Sequence, residues 1–151
     1  MINIRKGLYE TNSSSVHALV IPKETTLIIP ETVNLNYGEY GWGFEREYDA
    51  LNYFFTACCE YGRAKDFIDY LYKKGVKTIK VGSINYNQSG NYGIDHPEDL
   101  PIEFLLSHHD MLDRLIFSDD SFIDLGNDNS DNCPEEENYD KTKYDVFIKS
   151  N

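Results

Sequence analysis

An α+β fold, with a mixed or mainly antiparallel sheet and about three helices packed on one face, is what this sequence predicts. Period-two apolar alternation marks strands at both ends of the chain, three segments of helical apolar spacing lie between them, and glycines or prolines punctuate the junctions. With 151 residues there is room for one core, so the chain reads as a single domain over 1–151 with an acidic loop excursion at about 126–143. Its 40% hydrophobic content, with 12 Tyr and 8 Phe, is too rich for a disordered chain.

Ile2 and Ile4, then Val16, Ala18 and Val20, predict two short strands around a polar segment, residues 10–15. Residues 26–29 and 32–35 form an extended stretch bent at Pro30, which lacks a ladder donor. Residues 37–44 are a glycine- and aromatic-rich connector. Leu51, Phe54, Phe55 and Cys58 predict a helix over 47–61 that stops at Gly62. A second helix, 63–74, buries Phe67, Ile68, Leu71 and Tyr72 and closes on Lys73-Lys74-Gly75, where cations meet the dipole and glycine suits the cap. Val76, Ile79 and Val81 predict a strand, and 85–101 a long loop. Leu105, Leu106, Leu112, Leu115 and Ile116 predict one helix over 102–117, Phe122, Ile123 and Leu125 a short strand, and 144–148 a last strand returning to the sheet.

The formal charge of -12 is divided unevenly. Residues 1–94 balance ten bases against ten acids, whereas 95–140 hold fifteen acids against the single base Arg114. Such a field repels phosphate backbones, so direct nucleic-acid binding by this half is not expected. Its natural opposite is a basic, nucleic-acid-handling protein whose groove an acidic surface can occupy. The expected partner-binding acids are Asp119, Asp120, Asp124, Asp128, Asp131, Glu135, Glu136 and Glu137, with Trp42, Tyr86 and Tyr92 as aromatic anchors.

A competing reading starts from Glu10-Thr11-Asn12-Ser13-Ser14-Ser15-Val16-His17, the densest polar cluster. Its hydroxyls, amide and imidazole could serve a nucleotide or other phosphorylated molecule, with Arg5, Thr11 and Asn12 binding and Ser13, Ser15 and His17 catalytic. Against it, the same residue types satisfy a tight loop through local hydrogen bonds. A binding protein rather than an enzyme is the expectation.

No metal or cofactor is expected. An EF-hand loop begun at Asp128 would put Cys133 where glycine is needed and Tyr139 where the bidentate Glu belongs, and the four His show no i, i+4 pair. Gly38, Gly41 and Gly43 lack the Lys-Ser/Thr of a phosphate loop. Three cysteines, two of them adjacent, suit a reducing cytoplasm, and no membrane-length apolar run occurs.

Ile4-Arg5-Lys6-Gly7-Leu8-Tyr9-Glu10-Thr11-Asn12-Ser13-Ser14-Ser15-Val16-His17-Ala18-Leu19 resembles an N-terminal signature of small uncharacterised proteins from bacteriophages and mobile elements of Gram-positive bacteria. The likeness covers about a tenth of the chain, with a weaker echo at 115–128. It implies a phage or mobile-element accessory protein in a bacterial cytoplasm, and transfers no catalytic residue. Together with the charge it points to an anti-defence, anti-CRISPR-like inhibitor.

Overall fold

The computed structural model describes residues 15–40, 49–82, 93–94, 96–127 and 133–150. The expected strand at 2–4, residues 41–44 of the connector, residues 85–92 and 95 of the long loop and residues 128–132 of the excursion lie outside them.

The expected α+β class holds. Strand β1 (Ser15–Pro22) is the middle of a three-stranded antiparallel sheet, with β4 (Phe122–Asn127) on one edge and β5 (Tyr144–Ser150) on the other. Strands β2 (Thr32–Leu35) and β3 (Thr78–Val81) form a separate parallel pair, joined through α1 (Ala50–Tyr61) and α2 (Ala64–Lys73). Helices α3 (Ile102–Ser107) and α4 (His109–Ile116) precede β4.

All eight residues of β1 are buried, on both faces. His17, Leu19 and Ile21 face the helices; in register beside them stand Leu125 and Ile123 of β4 and Lys149, Phe147 and Asp145 of β5. The opposite face carries Val16, Ala18 and Val20, with Asp124 and Ile148 flanking Ala18. Since β4 and β5 are separated by β1, the connector between them has to cross the sheet. Tyr139, within that connector, donates its hydroxyl to Asp124 Oδ2 at 2.6 Å, and its ring meets Phe122 at 6.4 Å. Both contacts place the connector on the face away from the helices. The three layers are therefore helices, sheet and acidic connector. Within the connector a 3-10 turn, Glu136–Asn138, is held by reciprocal caps: the Asn138 side chain accepts from the Glu135 N–H at 2.8 Å, and the Glu135 side chain accepts in return from the Asn138 backbone.

Helix α1 begins at Asp49, whose carboxylate accepts from the Leu51 N–H at 3.1 Å, and ends at Gly62 in the left-handed region, φ 80. Its buried residues include Tyr53, Phe54, Ala57 and Cys58, the spacing of one helical face. Helix α2 buries Phe67, Tyr70 and Leu71; Tyr72, expected inside, is 48% exposed, because Tyr70 occupies the core-facing position two residues earlier. Phe54 meets Phe67 at 5.2 Å edge to face, and the Tyr70 hydroxyl and Lys74 ammonium both donate to Asp113, fastening α2 to α4.

Two further expectations need correction. The helix over 102–117 is two helices broken at His108, where φ is -124 and ψ 76. Ser107 donates to the Glu103 carbonyl, while ring nitrogens of His108 and His109 bond the Phe104 and Leu106 carbonyls, so side chains occupy acceptors that a continuous helix would use. The segment over 26–29 forms no strand: Leu27, Ile28 and Ile29 are all exposed, and the Ile28 N–H bonds the Phe117 carbonyl instead.

Replacing Tyr139 by Phe removes the hydroxyl and leaves Asp124, which is only 4% exposed, short of a donor. The expected loss is about 1–3 kcal/mol of unfolding free energy in chemical denaturation. An unchanged midpoint would show that this contact does not fasten the connector.

Candidate functional site

Two groups of residues compete for the role of functional site: the polar cluster at the start of β1 and the acids of the C-terminal half. Ser15 and His17 do share a strand face, as period-two alternation requires, but they are 7% and 0% exposed. Residues two apart along one strand are separated by roughly 6–7 Å of rise. The His17 ring is instead engaged by α1, with Nδ1 hydrogen-bonded to the Tyr53 hydroxyl at 2.5 Å. Tyr53 is itself fully buried and meets Tyr40 edge to face at 5.0 Å.

Burial sets the chemistry of this imidazole. Loss of water lowers the His17 pKa to about 3; the Lys149 cation adds to the effect, and the Tyr40 main chain opposes it. Among the described residues Nε2 has no hydrogen-bond partner. A base that takes up a proton only at about pH 3 is unsuited to general-base work near neutrality, where the useful pKa is close to the working pH. The phenol of Tyr53 is held in its neutral form, its pKa raised well above the ordinary value by burial and then by Tyr40. The cluster has the character of a polar staple between β1 and α1. Of the remaining residues assigned to a pocket, Arg5, Thr11, Asn12 and Ser13 lie outside the described residues.

Lys149 was not anticipated as special. It sits opposite His17 in the β1–β5 register and is 2% exposed, a burial rare for lysine. Its charge also favours the ionised form of Glu98, whose pKa is lowered first by its own backbone N–H, then by His96 and finally by Lys149. Glu98 lies on the 3-10 turn Pro97–Asp99, where His96, Glu98 and Asp99 bring potential metal-ligand atoms within 4.8 Å of one another. All three are exposed; His96 Nδ1 is paired with Glu98 at 3.3 Å, and the nearby lysine supplies positive charge that a metal ion would have to oppose. The searched patterns, paired His at i, i+4 and the EF-hand loop, do not include a His-x-Glu-Asp turn.

Among the acids, Asp119, Asp120, Glu135, Glu136 and Glu137 are exposed. Asp119 and Asp120 stand at the entry to β4, and the 3-10 turn bearing Glu136 and Glu137 precedes Tyr139, which is bonded to the middle of β4. Glu136 pairs with Lys141 at 3.5 Å. The neighbouring Glu137 carboxyl raises the Glu135 pKa. Asp124 requires correction: it is a buried acceptor for Tyr139 and is not available on the surface. Asp128 and Asp131, with the proposed anchors Trp42, Tyr86 and Tyr92, lie outside the described residues. Arg114, the sole base of residues 95–140, is turned inward, donating to the Pro22 carbonyl at 2.7 Å and pairing with Asp145 and Asp110.

Cys58 is buried, as expected of a core cysteine, and its thiol pKa is raised, chiefly by that burial; burial likewise pushes the Cys59 thiol up to about 11. No described helix is long and apolar enough to cross a membrane. Compared with protein-family models, curated proteins and solved structures, the chain matches none.

The depressed His17 pKa predicts a pH dependence of stability. Above the unfolded value of 6.5 neither state binds the proton; as pH falls from there toward about 3, only the unfolded chain does, so native stability falls. The full effect is on the order of 4–5 kcal/mol. In denaturation curves recorded alongside a His17→Gln variant, the stability advantage of the unsubstituted protein should shrink across this window, because glutamine does not titrate. A constant difference would contradict the assignment.

Proposed function

We propose that the chain is a non-enzymatic acidic accessory protein of a phage or mobile element that inhibits a host or defence protein by occupying its basic nucleic-acid groove, in an anti-CRISPR-like manner. The observation that carries this reading is the exposure of Glu135, Glu136 and Glu137 side by side on a turn whose backbone is fixed by its own caps. Like charges gathered on a fixed turn create a concentrated negative potential that a cationic partner relieves. Asp119 and Asp120 are two further exposed acids at the entry to β4, and Arg114 is turned inside the fold rather than on the surface.

The reading of a nucleotide or phosphorylated ligand pocket has less support, since Ser15 and His17 are buried and the ring is bonded to Tyr53. Membrane association has no support from the described helices, and a bacterial cytoplasm is the compartment proposed.

The test uses affinity capture from bacterial lysate at low and high salt, with the intact protein and with a variant carrying Asp119→Asn, Asp120→Asn, Glu135→Gln, Glu136→Gln and Glu137→Gln. A basic nucleic-acid-handling protein should be captured at low salt, released as salt rises, and bound at least about tenfold more weakly by the variant. Capture that survives both neutralisation and salt would overturn the proposal.

A further inference from the structure

The cations of this protein are distributed as unevenly as its acids. Residues 70–94 contain Lys73, Lys74, Lys77 and Lys80 and no acidic residue. Lys74 is paired with Asp113. Lys73, Lys77 and Lys80 are exposed, and no ion pair is formed by any of them among the described residues. Two unpaired ammonium groups, Lys80 on one short strand and Lys77 immediately before it, thus stand together in a protein whose overall charge is strongly negative.

That strand is β3, and its sheet is unusual. Parallel strands are ordinarily buried between covering layers. Among the described residues this sheet has only two strands of four residues, and along β3 Thr78, Lys80 and Val81 are exposed and Ile79 only half-buried. The hydrogen-bond phase identifies which backbone groups are satisfied. The Thr78 N–H bonds the Glu31 carbonyl at 3.0 Å and the Gly82 N–H bonds the Leu35 carbonyl at 2.8 Å, so Thr78, Lys80 and Gly82 direct their polar groups toward β2. Alternation then directs the N–H and C=O of Ile79 and Val81 outward, to an edge on which no described strand pairs.

We propose that this outer edge of β3 is a docking rail for an extended segment of another protein in which acidic and apolar residues alternate. Main-chain bonds to Ile79 and Val81 would extend the sheet by one strand. On the face shared with buried Leu35, the added strand's apolar side chains would cover Val81, which is 47% exposed. On the opposite face its acids would lie beside Lys80, with Lys77 one residue ahead of the strand at its entry. Charge also argues against a second copy of this edge as occupant, because edge-to-edge pairing would bring lysines together. This surface is separate from the acidic one and does not depend on the function proposed above.

The probe is a capped peptide of alternating Glu and Val, compared with one of alternating Lys and Val, each titrated into the isotopically labelled full-length protein. With the Glu/Val peptide, the Ile79 and Val81 amide signals should shift and their hydrogen exchange should slow; the Lys/Val peptide should bind about tenfold more weakly or not at all. A Lys77→Glu, Lys80→Glu variant, checked for an otherwise unchanged spectrum, should reverse the preference. The proposal is overturned if neither peptide moves these amides, if both act equally, if Ile79 and Val81 become protected with rising protein concentration alone, or if vesicles containing phosphatidylserine move them while the Glu/Val peptide does not.

Discussion

Burial of β1 on both faces and pairing of both its edges is the constraint from which the remaining architecture follows. A central strand with no wet face requires cover on each side. On one side the helices supply Tyr53, Phe54, Leu112 and Leu115 to the same buried cluster as Leu19 and Ile21. On the other, Val16, Ala18 and Val20 are covered at least in part by the chain that links β4 to β5, because those strands lie on opposite edges and their link must pass over β1. A segment with too few apolar residues to form its own core is therefore carried across a sheet, and Tyr139 fastens it through its hydroxyl to Asp124 and its ring against Phe122. Its described acids, Glu135, Glu136, Glu137 and Asp140, are exposed.

The same constraint decides the fate of the polar cluster. A histidine on the helix-facing side of a fully buried strand loses water before it can meet a substrate, and its hydrogen bond to Tyr53 then links sheet to helix. Lys149 opposite it makes protonation still less favourable. Buried polar groups of this kind specify one register, since a one-residue slip of β5 would move the lysine to the other face. A dense group of Ser, Thr, Asn and His in a sequence is thus compatible with a structural role as well as a chemical one, and exposure discriminates between them.

Much of this was legible in the residues themselves. Gly62 and Gly75 marked helix ends where positive φ is required, at φ 80 and 115. The period-two alternation at 16–20 marked a strand, and 144–148 was correctly read as returning to the sheet. Alternation does not reveal that both faces of β1 are covered, because Ser15 and His17 make one face read as polar. The break at His108 was hidden because Leu105, Leu106, Leu112 and Leu115 keep helical spacing across it, while the cause lies in side chains capturing carbonyls. Asp124 was read with the other acids, since composition counts a carboxylate without recording that a tyrosine fifteen residues later covers it. The isolated parallel pair β2–β3 was likewise beyond pattern reading, as two short strands separated by two helices carry no local sign of which partner each takes.

Competition between this protein and duplex DNA or RNA for a captured basic partner tests the central claim most directly. Mutually exclusive occupancy at one-to-one stoichiometry, with the nucleic acid displaced as this protein is added, is the predicted result. A stable ternary complex, in which the partner holds both at full occupancy, would contradict it.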